Sequence, residues 1–204
     1  MVVTAIRRAF TAAAASAFLV VGVGLAPAVA KDSQLTQPLE TTVDMEFIGF
    51  DAKVAKQNGY DIRTDERGVK YSIPDTEPQG SMNGAFYLPK DAPASGEVSI
   101  MGTVDGNCGT ATLTGAGKSF FTAYAIKPWF GAAFKHTWRV AVSSSSGYQV
   151  YNLDGFAPLI GNWSTSRSIS FAGKPYNGWV STGTVTTRIG AVCGSMTPGD
   201  LWYS

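Results

Sequence analysis

From residue 97 to the C-terminus, apolar and polar residues alternate in short runs, and no helical period interrupts them. The clearest run is His136, Trp138, Val140 and Val142, with Thr137 and Arg139 on the opposite face. A period of two buries one face of a strand. Trp138 therefore reads as core, and His136 as a partly buried strand residue that needs a hydrogen-bond partner. Val98, Ile100 and Val104 share a face in a first strand, and 109–114, 119–126, 147–153, 167–171 and 178–189 supply others. Residues 201–203 close the set. Gly, Ser and Asn turns separate the runs. The prediction is a mainly β fold, an antiparallel sandwich or small barrel.

Cys108 and Cys193 are the chain's two cysteines. An even count in an exported chain predicts a disulfide, here tying the start of the second strand to the end of the last long one. In the chain-entropy model, closing so long a loop contributes about 4–5 kcal/mol at most.

Export is read from the first thirty residues. Arg7 and Arg8 form a positive n-region, 9–26 run without charge, Pro27 breaks the helix, and Ala28-Val29-Ala30 is a small-x-small cleavage pattern. The apolar run approaches the ~20 residues of a membrane span, but its Ala- and Gly-rich composition favours a cleaved signal over an anchor. The expected product is secreted, with no stable membrane anchor. Cleavage leaves 174 residues and takes the formal charge from +1 to −1. A near-neutral chain has no electrostatic drive toward nucleic acid or anionic membrane.

The mature chain divides by character. Residues 31–96 read as a loose leader to Asp44, a short helix, a hairpin and a Pro-rich linker. Phe47, Ile48, Phe50, Val54 and Ala55 lie roughly on one helical face, with Asn58-Gly59 as a stop. Residues 60–64 and 69–73 alternate about the turn Asp65-Glu66-Arg67-Gly68. Pro74, Pro78, Pro89 and Pro93 mark the linker, with one extended piece near 85–88. Residues 97–204, low in charge and holding all five tryptophans, form the disulfide-linked all-β domain.

Most chemistries lack their residues. One His and two paired Cys cannot assemble a zinc site, and Asp105, Asp154 and Asp200 are too isolated for calcium, so neither metal nor cofactor is expected. Gly80-Ser81-Met82-Asn83-Gly84 misses a nucleophile elbow by one position, and His136 is the sole base. Gly115-Ala116-Gly117-Lys118-Ser119 imitates the end of a phosphate loop but reads as a hairpin turn. Glycoside hydrolysis needs only two carboxylates, and Asp105 with Asp154 is the pair to test, although both adjoin Gly and suit turns.

The aromatics carry the functional content. Trp129 and Phe130 sit between Pro128 and Gly131, Trp163 between Asn162 and Ser164, and Tyr176 between Pro175 and Asn177. Large rings in polar loops stack on sugar rings and other flat apolar faces. These four are the ligand-binding candidates, and a polysaccharide or surface protein is the expected partner.

The Ala-rich signal ending, Phe50-Asp51-Ala52-Lys53-Val54-Ala55 running into Asn58-Gly59-Tyr60, and a half bounded by Gly106-Asn107-Cys108-Gly109 and Ala191-Val192-Cys193-Gly194 together resemble small secreted proteins of high-GC Gram-positive, actinobacterial type. That resemblance implies an address and no catalytic residue. The expected function is an exported, non-enzymatic binding or interaction protein. The alternatives are a carboxylate-dependent glycan-active enzyme, or an inhibitor or toxin presenting the Pro-rich loop 74–93.

Overall fold

The run through His136 and Trp138 forms β6 (Ala133–Ser144), paired along its length with β10 (Tyr176–Thr187). These two strands are the spine of a ten-stranded antiparallel sheet in the computed structural model, which describes residues 41–88, 91 and 107–203. On one side of the spine lies β7 (Gly147–Asn152). On the other, in order, come β11 (Ala191–Ser195), β1 (Thr42–Phe50), β4 (Asn107–Ala116), β5 (Ser119–Ile126) and β9 (Asn162–Ser168). The two-residue β8 (Gly155–Phe156) pairs with β6, and β12 (Gly199–Trp202) pairs with β10. The predicted signal peptide, the Val98–Val104 strand, Pro89, Pro93 and Asp105 lie outside the described residues.

The sheet curls into a half-barrel whose inner face packs on itself. Trp138, Tyr176, Phe120, Leu113, Val140 and Val185 are wholly buried there. The two edge strands approach each other. Tyr151 Oη on β7 donates to the Ser168 carbonyl on β9 at 3.3 Å, and the Tyr151 ring meets Phe120 edge-on at 5.0 Å. The end of the chain then reaches over to β4. Gly115 N donates to Asp200 Oδ2 at 2.8 Å, Trp202 Nε1 donates to the Gly117 carbonyl at 3.0 Å, and the Trp202 ring stacks on Tyr176 at 5.7 Å.

Cys108 on β4 and Cys193 on β11 are bonded, with their Cα atoms 5.9 Å apart, and both are buried. The strand that carries Cys193 is separate from the last long one. Gly190, at φ +85°, turns the chain between β10 and β11. Residues 167–171 do not form a strand of their own, because β9 begins earlier and ends at Ser168.

The predicted helix through Phe47 is corrected. Phe47, Ile48 and Phe50 belong to β1, and α1 (Ala52–Gln57) starts only after them. Asp51 causes the switch: its Oδ1 accepts from Val54 N at 3.0 Å, capping the first turn. Asn58 Nδ2 donates to the Val54 carbonyl at 2.9 Å, and Gly59 at φ +81° ends the helix. Val54 and Ala55 remain the buried helical residues. Residues 42–44, expected within a loose leader, open β1. The hairpin forms as predicted, with β2 (Tyr60–Thr64) paired to β3 (Lys70–Pro74), and an antiparallel bridge joins Ser72 to Phe86.

Gly115 leaves the room that Trp202 fills, since a Cβ there would lie 1.9 Å from the indole ring. Gly115→Ala is expected to cost about 1–3 kcal/mol, read as a lowered midpoint in urea. Reduction of the disulfide is expected to cost about 2–5 kcal/mol in the same assay.

Candidate functional site

The helix, the hairpin and the segment leading to Leu88 pack beside one end of the half-barrel. Ser72 Oγ donates to the Ile189 carbonyl at 2.6 Å, in a buried position. Asp51 N donates to the Gly190 carbonyl at 2.7 Å, and Lys135 Nζ meets Asp51 Oδ2 at 2.8 Å. Phe86 lies 5.2 Å from Phe130, which in turn stacks on Phe47 at 6.2 Å. Between this layer and the barrel end is a cleft of about 410 Å³, walled by Tyr60, Phe86, Tyr87, Trp129 and Ile189, with Asn83 at its polar side.

Trp129 enters the cleft by a local device. Pro128 fixes the first turn of a 3-10 segment, Pro128–Phe130, and Gly131 ends it at φ +78°. Within that single turn Phe130 is driven into the core, and Trp129 is left half-buried at the wall. The Lys127 ammonium stands 5.6 Å from the centre of the Trp129 ring, within cation–π range. The indole N–H is enclosed, with no hydrogen-bond partner among the described residues. A buried donor left unpaired costs about 1–3 kcal/mol. Tyr87, which also lines the cleft, is buried and turns its hydroxyl toward the hairpin, where Oη meets Met82 Sδ at 3.9 Å. Burial, then the Asp65 charge, push its pKa up to about 12, so it stays a neutral hydroxyl.

Trp163 occupies a different place. It lies on β9 rather than in a loop, half-buried against Tyr124 at 5.4 Å, His136 at 4.5 Å and Trp138 at 5.9 Å. It borders a shallow depression of about 550 Å³ over β4, β5 and β9, whose other walls include Thr110, Thr112, Ile160, Asn162 and Ser164. The sequence candidates are therefore not assembled into one site. Trp129 and Trp163 line separate cavities. Phe130, a ligand-binding candidate in the sequence, is 1% exposed, and Tyr176, expected in a loop, opens β10 and is wholly buried. Tyr176 donates its hydroxyl to the Phe171 carbonyl at 3.0 Å, which satisfies the polar end of a core ring. Tyr60, Phe86 and Tyr87 were missed as cleft residues. The signal for Phe86 and Tyr87 was the extended piece near 85–88, and for Tyr60 the hairpin strand it opens; neither alternation hinted at what it would face.

The other chemistry-bearing residues are engaged in the fold. Asp154 Oδ1 accepts from Trp138 N at 2.8 Å, and Oδ2 from Arg139 Nη2 at 3.2 Å, so this carboxylate holds the β7–β8 connection. A larger hollow of about 660 Å³ beside the hairpin turn is lined by Arg63, Asp65 and Arg67. These three are engaged locally: Arg67 pairs with Asp65 at 2.9 Å, and Arg63 donates to the Glu77 and Pro78 carbonyls. The same contacts tie down the first half of the Pro-rich loop.

Fold and site together define a disulfide-closed, mainly β domain with aromatic clusters. Among the described residues, no group of three His, Cys, Asp or Glu side chains is placed to hold a metal ion, and no helix is long and apolar enough to cross a membrane. No protein-family model matches the chain, and neither the curated proteins nor the solved structures include one significantly similar to it.

His136 gives the site region a pH dependence. Its Nε2–H donates to the Leu153 carbonyl at 2.9 Å, which leaves Nδ1 to accept from Tyr124 Oη at 3.0 Å. The second of these bonds requires the neutral ring, and burial lowers its pKa below the ordinary 6.5. Between that lowered value and 6.5 the unfolded chain binds more protons, so stability is whole above 6.5 and is lost as pH falls below it. Urea midpoints measured from pH 7.5 down to 4.5 should fall through this window, and His136→Gln should flatten that part of the curve.

Proposed function

We propose that the chain is an exported, non-enzymatic binding protein and that the cleft at Trp129 takes its ligand. The observation that carries the reading is a half-buried tryptophan set in the aromatic wall of a cleft. Such a cleft suits a ligand that offers a flat apolar face to stack, as a sugar ring of a glycan does. A surface protein presenting an aromatic or proline ring is the second ligand class. The signal-like N-terminal sequence and the buried disulfide support an oxidising, extracellular address. The engagement of Asp154 in the β7–β8 connection supports a binding role over a two-carboxylate hydrolase.

The test is protection of tryptophan emission from acrylamide by cell-wall and plant polysaccharides, followed by affinity for whichever protects. Trp129→Ala should weaken that affinity by about thirtyfold or more, as loss of an aromatic anchor does. Trp129→Phe, which keeps a smaller stacking face, should fall between. Undiminished affinity in Trp129→Ala would move the site elsewhere. Polysaccharide hydrolysis that disappears in Asp154→Asn would replace binding with catalysis.

A further inference from the structure

The two outermost strands of the sheet, β7 and β9, approach each other, and among the described residues no backbone bond joins them. The ladders show which groups they leave unpaired. Bonded pairs alternate along antiparallel strands. Ile126 N donates to the Gly161 carbonyl at 2.7 Å and Ile169 N to the Lys118 carbonyl at 2.9 Å, so Trp163, Thr165 and Arg167 are the β9 residues bonded to β5. Asn162, Ser164 and Ser166 turn their N–H and C=O groups the other way. The Ser168 carbonyl, in the same phase, accepts from Tyr151 Oη across the seam. On β7, Leu153 N donates to the Trp138 carbonyl at 2.8 Å, which turns the backbone groups of Tyr148, Val150 and Asn152 away from β6.

Among the described residues the seam is linked at one end, by Tyr151 to Ser168 and by Ser170 Oγ to Gln149 Oε1 at 2.8 Å. Inward-facing residues far from it, such as Trp138 and Val140, are wholly buried, whereas Trp163, Thr165 and Tyr151 beside it are half-buried. Sheet edges are commonly blunted by proline or by charge. β9 has no proline, and its one charged residue, Arg167, lies near its end and donates to the Ser166 carbonyl at 2.8 Å. The side chains of Asn162, Ser164 and Ser166 are short and exposed. The N–H groups of these three residues and the carbonyls of Asn162 and Ser164 have no partner among the described residues.

We propose that β9 takes an extended peptide of a partner protein as an added strand, laid in the seam between β9 and β7. The ligand class follows from the backbone: N–H and C=O groups presented at every second residue match the repeat of an extended main chain. The half-buried Trp163 and Thr165 select apolar side chains at the alternate positions that point inward, and the positions between them face solvent beside Asn162 and Ser164. The seam favours one segment over a second copy of the chain. β7 stands along it, and the edge of another folded sheet brings its own neighbouring strands and core against that wall, whereas a single extended segment does not.

The probe is a fluorescein-labelled peptide of alternating valine and threonine with a lysine at each end. It should bind the purified protein in anisotropy titrations. In the free protein the amides of Asn162, Ser164 and Ser166 should exchange with deuterium quickly beside slow Trp163, Thr165 and Arg167, and the peptide should slow the first three. N-methylation of one of the two alternate sets of peptide amides should weaken binding by about tenfold or more with the side chains unchanged. Ser164→Pro removes an outward N–H and leaves the bonds to β5, so it should weaken binding by a similar factor and keep its urea midpoint. Trp129→Ala should bind the peptide normally, which separates this site from the cleft. Slow exchange at the three amides in the free protein, failure of the peptide to bind, or binding indifferent to N-methylation of either set would overturn the proposal. Protection of the three amides that grows with protein concentration, without peptide, would assign the edge to a second copy instead.

Discussion

A covalent clamp across β1 sets the shape of the molecule. The bonded cysteines lie on the two strands that flank β1, which in a flat sheet would be about 9.5 Å apart. Their Cα atoms are 5.9 Å apart. The sheet can meet that distance only by folding sharply about β1, and both of its ladders slip at that place. The β4 register shifts between Met45 and Glu46, and the β11 register between Phe47 and Gly49. Bulges bend a strand and increase its twist, so they convert the clamp into the curl of the half-barrel. Once the inner face is turned on itself, Trp138, Phe120 and Tyr176 share one core.

The curl also decides where the cleft lies. β1 leaves the sheet at Phe50, and Asp51 both caps the helix and binds Lys135 on β6, so helix and hairpin are delivered to one end of the barrel. There they meet the turn that carries Trp129 and the turn at Ile189. The cleft is the seam between elements far apart in sequence. The polar ends of those elements are matched by side chains such as Ser72, while the rings of Tyr60, Phe86 and Trp129 are left to face each other.

The strands were readable where one face is buried and the other wet. His136 through Val142 lies in β6, 119–126 is β5 to the residue, and Trp138 is core. The hairpin at 60–73 followed from alternation and its turn. β1 was misread because Phe47, Ile48 and Phe50 also fit a helical face with Val54 and Ala55. The period of two in Val43, Met45 and Phe47 was present, but judging it needed the knowledge that Asp51 caps a separate helix. Site residues were less legible for a different reason. Burial of Phe130 and Tyr176 depends on which side of a three-residue turn or a strand end faces the barrel, and flanking Pro and Gly do not encode that. Trp129 kept a partial exposure because Phe130, its neighbour in the turn, took the inward position.

The central place of β1 bears on timing. Among the described strands it is the first to be synthesised, yet its partners are β4, from the middle of the chain, and β11, from late in the sequence. Pairings this distant in sequence are slow to form, because the intervening chain must be gathered before the contacts return anything. Until β11 arrives, one side of β1 is an open edge, and neither sulfur can find its partner. Among the described strands, the earliest in sequence is thus held in place by one of the latest.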